Sequence, residues 1–244
     1  MNIRASAKIL FHEAEKLGLE PKWETPYGLF SVQLNNKQEF IFYTRSYLNT
    51  QLGAWFSTDK YTTNIILERN KVKVIPYLYA AQIPKVNAFF DKHHPLIAKP
   101  LEGRESIHVK LIAERQALKR IPIREMLFEK YITGVEYRYL MLKKEVVAVQ
   151  RKELKPSLTN PWKKYIINLE KKEWNNNLVE QSIQIANILH LGFVAIDFIV
   201  DEQNNTWFLE TNSAPSLHYF HNPDRGKPVN LARKLLKETL STKF

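Results

Sequence analysis

Three oxygen-bearing side chains late in the chain, Asp197, Glu210 and Asn212, could together hold a hard divalent cation. Asp197 sits in the apolar, β-branched run FVAIDFIV, Glu210 and Asn212 close a second apolar run, TWFLETN, and the polar DEQNN lies between them. That pattern predicts a β-hairpin. Residues two apart on a strand share a face, so Glu210 and Asn212 project together, and an antiparallel partner strand can bring Asp197 alongside. Two carboxylates and an amide carbonyl suit Mg²⁺, which takes few protein ligands and completes its shell with waters and nucleotide phosphates. A merely solvated hairpin is the alternative, but an acid in the middle of IDFIV with no cation or donor would be an unpaired buried charge.

Other chemistry-bearing residues precede the hairpin in a fixed order. Asp59-Lys60 opens a helix, Lys99-Pro100 ends a strand, FEKYITGVEYRYLML follows at 128–142, and Arg151 lies on the next strand. Lys60 and Lys99 could neutralise phosphates as point charges. The segment Glu129-Lys130-Tyr131-Ile132 could present backbone groups to an adenine edge, and Glu136 could accept hydrogen bonds from ribose hydroxyls. Each motif is weak alone, so the reading rests on their combination. His218 and His221 directly follow the metal strand and are candidates to meet substrate, with surface loop histidines as the plain alternative. His93 and His94 read as loop residues, Trp162, Trp174 and Trp207 as packing or surface anchors, and Lys163 and Lys164 as γ-phosphate or acidic-substrate contacts or a solvated charge pair.

The elements that must position these groups can be traced by periodicity. SAKILFHEAEKLGL predicts an amphipathic helix stopped at Gly18, and LFSVQL and EFIFYT predict a hairpin around Asn35-Asn36. Helical spacing returns over Ser57–Arg69, VKVIPYLYA reads as a strand interrupted by Pro76, and LIAKP as a buried strand. Residues 108–120 read as helical, MLFEKYI and EYRYLML as a strand pair, and EVVAVQRKEL as the next strand. A polar link over 156–164 leads to a helix at about 177–190, the hairpin, and a final amphipathic helix, VNLARKLLKETL. No internal repeat appears, and the base expectation is a compact α+β arrangement.

Composition bounds the function. The 244 residues are 44% hydrophobic and 12% aromatic, which argues for a folded chain with a large core. No apolar run approaches the roughly 20 residues that span a bilayer, and the N-terminus is unlike a signal peptide, so the expected setting is cytoplasmic. The absence of cysteine excludes disulfides, thiolate ligands and a cysteine nucleophile. A net charge of +11 calls for an acidic partner. The basic residues are scattered and no nucleic-acid-binding signature appears, so a basic nucleic-acid-binding protein is the disfavoured alternative.

The order of motifs resembles the ATP-grasp superfamily, specifically its carboxylate-amine ligases, from about residue 57 onward. Lys60 and Lys99 match the nucleotide-phosphate lysines, Glu129 to Ile132 the adenine hinge, Glu136 the ribose acid, and Asp197, Glu210 and Asn212 the two-magnesium triad. The tail ETNSAPSLHYFHNP with Gly226 is most similar to the ligase region of cyanophycin synthetases and bifunctional glutathione synthetases. GVEYR and the stretch from Arg151 to Asn160 are similar to ribosomal-protein glutamate ligases. The resemblance implies an α+β ATP-grasp fold with a short N-terminal region at 1–56, a small lid subdomain at 57–128 and a C-terminal subdomain with the magnesium site at 129–244. It implies an ATP-dependent ligase that joins a carboxylate to an amine through an acyl phosphate, using ATP, two Mg²⁺ ions and an amino-acid or peptide substrate.

Three departures qualify that resemblance. The phosphate-covering loop is LEGRESIHV, with only Gly103, so Arg104, Ser106 and His108 would have to supply donors that glycine-rich loops supply from the backbone. The short N-terminal region leaves the acceptor site open, or to be completed by a second copy or a partner protein. Ala195 stands where D-alanine ligases carry an arginine, so Arg138, Arg151 and Lys99 become the cations expected to surround the transferring groups, with strand alternation aiming both arginines into the cleft. A poor loop and a short N-terminus also fit a catalytically degenerate ATP-binding module.

Overall fold

The computed structural model describes residues 3–79, 82–101, 108–122, 124, 126–154 and 164–241. Three antiparallel sheets organise them. A hairpin, β2 (Leu29–Leu34) with β3 (Lys37–Phe42), is extended by the short β1 (Lys22–Trp23) into an N-terminal sheet. A four-stranded sheet has the order β4 (Tyr77–Tyr79), β7 (Met126–Lys130), β5 (Leu96–Pro100), β6 (Lys110–Ile112). A five-stranded sheet has the order β10 (Lys164–Asn168), β9 (Glu145–Leu154), β8 (Gly134–Leu142), β11 (Phe193–Asp201), β12 (Thr206–Asn212).

The two faces of the large sheet carry different chemistry, and the helices show why. One face is apolar along its length, with Tyr139, Met141, Val149, Val194, Ile196, Phe198 and Phe208 packed with Leu178 and Ile185 of α5 (Asn176–Ile188) and Leu67 of α3 (Lys60–Arg69). Burial of each large side chain there contributes roughly 1.5–3 kcal/mol. On the other face only one end is apolar: Leu140, Leu142, Ala148 and Phe193 meet α1 (Ala5–Lys16), α7 (Leu231–Ser241) and the N-terminal sheet. The remaining end of that face is polar. Satellite packing of Val86 and Phe90, from α4 (Ile83–His93), against Leu96, Ala98 and Phe128 supports the four-stranded sheet.

The expected first helix, the N-terminal hairpin, LIAKP, the long helix before the hairpin of β11 and β12, that hairpin and the last helix all appear. Four expectations are corrected. Residues 108–120 form β6 and a 3₁₀ turn over Arg115–Arg120 rather than one helix, because Leu111 and Ile112 pair with β5. MLFEKYI and EYRYLML are not partners: β7 pairs with β4 and β5, β8 pairs with β9 and β11, and Tyr131–Thr133 carries the chain from one sheet to the other. Among the described residues of VKVIPYLYA only Tyr77–Tyr79 is a strand, with Val74 making a single bridge to Phe208. His93 is no loop residue, since it ends α4, a helix whose start is marked by proline in its first turn.

A polar face between two sheets

The polar end of the large sheet gathers its groups by cross-strand pairing, because directly opposed residues share a face. The register pairs Glu136 with Lys152, Arg138 with Gln150, Asp197 with both Arg138 and Glu210, and Ala195 with Asn212. Thus Asp197, Glu210 and Asn212 share one face, together with Glu136, Arg138 and Lys152. Two β-bulges make this possible. In β12 the register shifts between Asp197 and Phe198, so that Phe198 opposes Phe208 while Asp197 opposes Glu210. Without the extra Leu209, strict alternation would turn Glu210 and Asn212 onto the apolar face. A second shift between Leu140 and Met141 leaves Val147 extra in β9.

The second bulge overturns one expectation. Arg151 opposes Tyr137 and Ile167, so it lies on the face opposite Arg138 and does not enter the cleft. It pairs with Glu153 at 2.8 Å, and its Nε is buried without a hydrogen-bond partner among the described residues. Lys152 takes the place intended for it. Sequence reasoning missed Lys152 because the parity of β9 beyond Val147 depends on that single extra residue; nothing in EVVAVQRKEL marks it.

Asp197 is 1% exposed, and its charge is fully matched. Arg138 grips it with Nε donating to Oδ1 at 2.8 Å and Nη2 to Oδ2 at 2.7 Å, and Lys152 Nζ donates to Oδ2 at 2.7 Å. Burial alone would raise its pKa, but Arg138 and then Lys152 hold the carboxyl well below the usual carboxylate range. In return Asp197 more than offsets the burial of Arg138 and holds the guanidinium charged. Glu136 accepts from Lys152 and from Lys164, and these lysines outweigh burial and the nearby Asp197 to keep it ionised.

The other cations come from the end of β5, in the four-stranded sheet, and from the first turn of α3. Lys99 pairs with Glu129 at 2.8 Å, both nearly buried, so the Glu129 side chain holds a lysine while only its backbone remains for a hinge role. Asn64 donates to the same carboxylate at 3.5 Å. Lys60 follows Asp59, whose side chain caps α3 by accepting from the Thr62 amide at 2.6 Å, and its Nζ reaches the Leu101 carbonyl at 3.3 Å. Burial lowers the Lys60 pKa, opposed by Glu210, while Lys99 lowers it further, which places Lys60 within the field of both sheets. In the expected hinge segment, the Lys130 amide donates to Pro76 O and the Tyr131 amide to Pro95 O, both at 2.9 Å. Ile132 follows in the same crossover, and Gly134 starts β8 where a Cβ would overlap the Val200 carbonyl.

The expected magnesium ligands fit such an ion. Glu210 makes no hydrogen bond or ion pair among the described residues, Asn212 Oδ1 accepts only the Ala214 amide at 2.9 Å, and Asp197 Oδ1 accepts only Arg138 Nε. Each therefore retains acceptor capacity on one face. No group of three or more His, Asp or Glu able to hold a metal occurs among the described residues, so any ion here relies on two carboxylates, the amide and non-protein ligands.

The ends of these strands are held by a residue sequence reasoning passed over. Asn49 Nδ2 donates to Phe193 O at 2.8 Å and Ser213 O at 3.1 Å, and its Oδ1 accepts the Phe193 amide at 2.7 Å. Ser57 Oγ adds a bond to Ser213 Oγ at 2.8 Å. His218 starts α6 (His218–His221), and His221 Nε2 accepts the Ala232 amide at 3.3 Å, a structural duty at the start of α7. Trp174 donates to Leu169 O, and Trp207 donates to Asp201 beneath Lys73, so both anchor the fold. Gly103, Arg104, Ser106, Trp162 and Lys163 lie outside the described residues, whereas His108 is exposed.

Two sheets facing a buried network of paired acids and bases, with a crossover hinge between them, define an ATP-grasp fold. A family profile described as the RimK-like ATP-grasp domain matches residues 57–239, and the chain belongs to that family. It is 24% identical over 189 residues to a D-alanine–D-alanine ligase of Buchnera aphidicola subsp. Baizongia pistaciae (strain Bp), covering 68% of this chain and 61% of that one. A bifunctional glutathione synthetase from Pasteurella multocida superposes with a TM-score of 0.74 at 13% identity, over 99% of this chain and 44% of its own. The ATP-grasp ligase PsnB, solved with minimal precursor, Mg and ADP, superposes at 0.64 with 18% identity, over 78% and 61%. The chain thus spans about three fifths of the curated relative and under half of the synthetase. No helix among the described residues is long and apolar enough to cross a membrane.

Proposed function

We propose that this protein is an ATP-dependent ligase joining a carboxylate to an amine, with an amino acid or peptide as substrate, acting in the cytoplasm. The observation that carries this is the shared face of Asp197, Glu210 and Asn212 set against Lys60 and Lys99. In this reading residues 57–128 and 129–244 are the two halves that grip ATP, and 1–56 is a short N-terminal region. Glu129–Ile132 offer backbone to the adenine, Glu136 faces the ribose, and Lys60 and Lys99 neutralise phosphates.

Asp197, Glu210 and Asn212 would hold two Mg²⁺ ions, which when bound supply charge neutralisation of the transferring phosphoryl group. The chain's own residues do the rest. A substrate carboxylate oxygen attacks the γ-phosphorus and ADP leaves; the amine nitrogen then attacks the acyl carbon, phosphate leaves, and the nitrogen loses a proton. Arg138 spends two of its five N–H donors keeping Asp197 ionised, and its remaining donors are available to developing oxyanion charge. Support for this reading also comes from the names of the relatives, two of them amino-acid or peptide ligases.

A screen for amino-acid-dependent ADP release, with mass spectrometry of the product, tests the proposal. The expected product is an amide formed with one ADP per bond. One observation favours a second reading, a catalytically degenerate ATP-binding module: Arg138 and Lys152 already neutralise Asp197. Nucleotide binding that ignores Mg²⁺, with no ADP release across the panel, would establish that module instead.

A further inference from the structure

At the far end of the large sheet from the charged cleft, the β8–β9 turn, the C-terminal end of α5 and the outer edge of α7 border a half-open cavity of about 810 Å³. Leu142 is six residues along β8 from Glu136, which separates cavity and cleft by about 20 Å. The floor is aliphatic, made by Leu48, Leu142, Val147, Ala186 and Leu191. The rim is cationic. Lys143, Lys144, Lys234 and Lys237 stand on it against two acids, Glu145 and Glu238, and Glu238 is ion-paired with Lys143. Among the described lining residues four lysines thus stand against two acids, and Lys234 and Lys237, three apart on α7, lie on one helical face.

That combination selects a ligand. Among the described residues no Phe, Tyr or Trp lines the cavity, so a nucleobase or aromatic ring finds no stacking partner there, while its size is in the range of small-molecule sites. An apolar body on the floor with a negative head at the lysines satisfies both features. We infer that the cavity is a binding site for a small aliphatic organic anion, an alkyl or acyl chain ending in a carboxylate. Its wall also touches the ligase-site scaffold: Gly192 donates to Leu48 O, the Thr50 amide donates to His190 O, and Asn49 between them holds Phe193 and Ser213, next to Asn212. The inference does not depend on which reaction the cleft performs.

Calorimetric titration of the full-length chain with decanoate, without nucleotide, tests it. Saturable binding at one site is expected, at least tenfold weaker for decanol, which lacks the charge, and for butyrate, which lacks the chain. Lys234→Glu with Lys237→Glu should weaken decanoate binding at least tenfold with an unchanged melting temperature, since both side chains are exposed. Glu210→Ala should leave it unaltered. Absence of saturable binding, equal affinity for decanol, indifference to the double charge reversal, or binding of polyglutamate in preference to decanoate would each overturn the inference.

Discussion

At the scale of residues, Lys152 and Arg151 are neighbours with opposite fates. Lys152 Nζ bridges the buried Glu136 and Asp197, and breaking a buried pair costs about 3–5 kcal/mol because a charge is stranded. Arg151 makes a half-exposed pair with Glu153, worth about 0–1 kcal/mol. Urea denaturation should therefore show Lys152→Met strongly destabilised and Arg151→Met nearly unchanged; equal effects would refute the assigned faces. Glu210 makes no hydrogen bond or ion pair among the described residues and only helps to hold Lys60 and Arg138 charged, so Glu210→Ala should fold with wild-type stability to within about 1 kcal/mol while losing Mg²⁺-dependent nucleotide binding and turnover. Acid titration gives a third check. The Asp197 pKa is depressed in the fold, so its contribution is present above the ordinary value of 3.8 and is lost as pH falls below it. The Asp197→Asn variant should show a flatter loss of stability over that acidic range.

At the scale of elements, the β11–β12 hairpin was legible because two apolar runs flank DEQNN, and Asp197, Glu210 and Asn212 do share one face of it. What was not legible is parity. Leu209 and Val147 each add one residue to a strand, and alternation counted from the sequence then assigns the wrong face, as it did for Arg151. Sheet membership was equally hidden, since β7 and β8 are adjacent in sequence yet part company at Tyr131–Thr133. The glycine that follows has a measurable role: Gly134→Ala would force Val200 away from β8, and we expect a loss of about 1–3 kcal/mol, seen as a lower melting temperature. His221 offers another check. Burial, opposed by Glu13, lowers its pKa, so the neutral ring that accepts the Ala232 amide contributes stability above the ordinary value of 6.5 and loses it as pH falls below. His221→Ala should remove that pH dependence from the unfolding of α7.

At the scale of the molecule, a ligand gripped between two sheets should stabilise them together. Saturation at a hundredfold excess over the dissociation constant contributes about 2.7 kcal/mol, or roughly 5–10 °C in melting temperature for a chain of this size. Thermal melts with MgATP should show that rise, and melts with ATP plus a chelator should not. The Asn49 amide carries a different consequence, for where the working unit begins. The family match starts at residue 57, yet the clamp on Phe193 and Ser213 comes from before it, as do Leu10, Phe30 and Ile41 of the core that backs β8 and β11. A boundary drawn from family likeness would cut through that core. A chain starting at Ser57 should fail to give a cooperative melt, whereas one starting at Ile3 should melt as the whole protein does, so the cooperative unit of this fold is longer than the stretch the family profile matches.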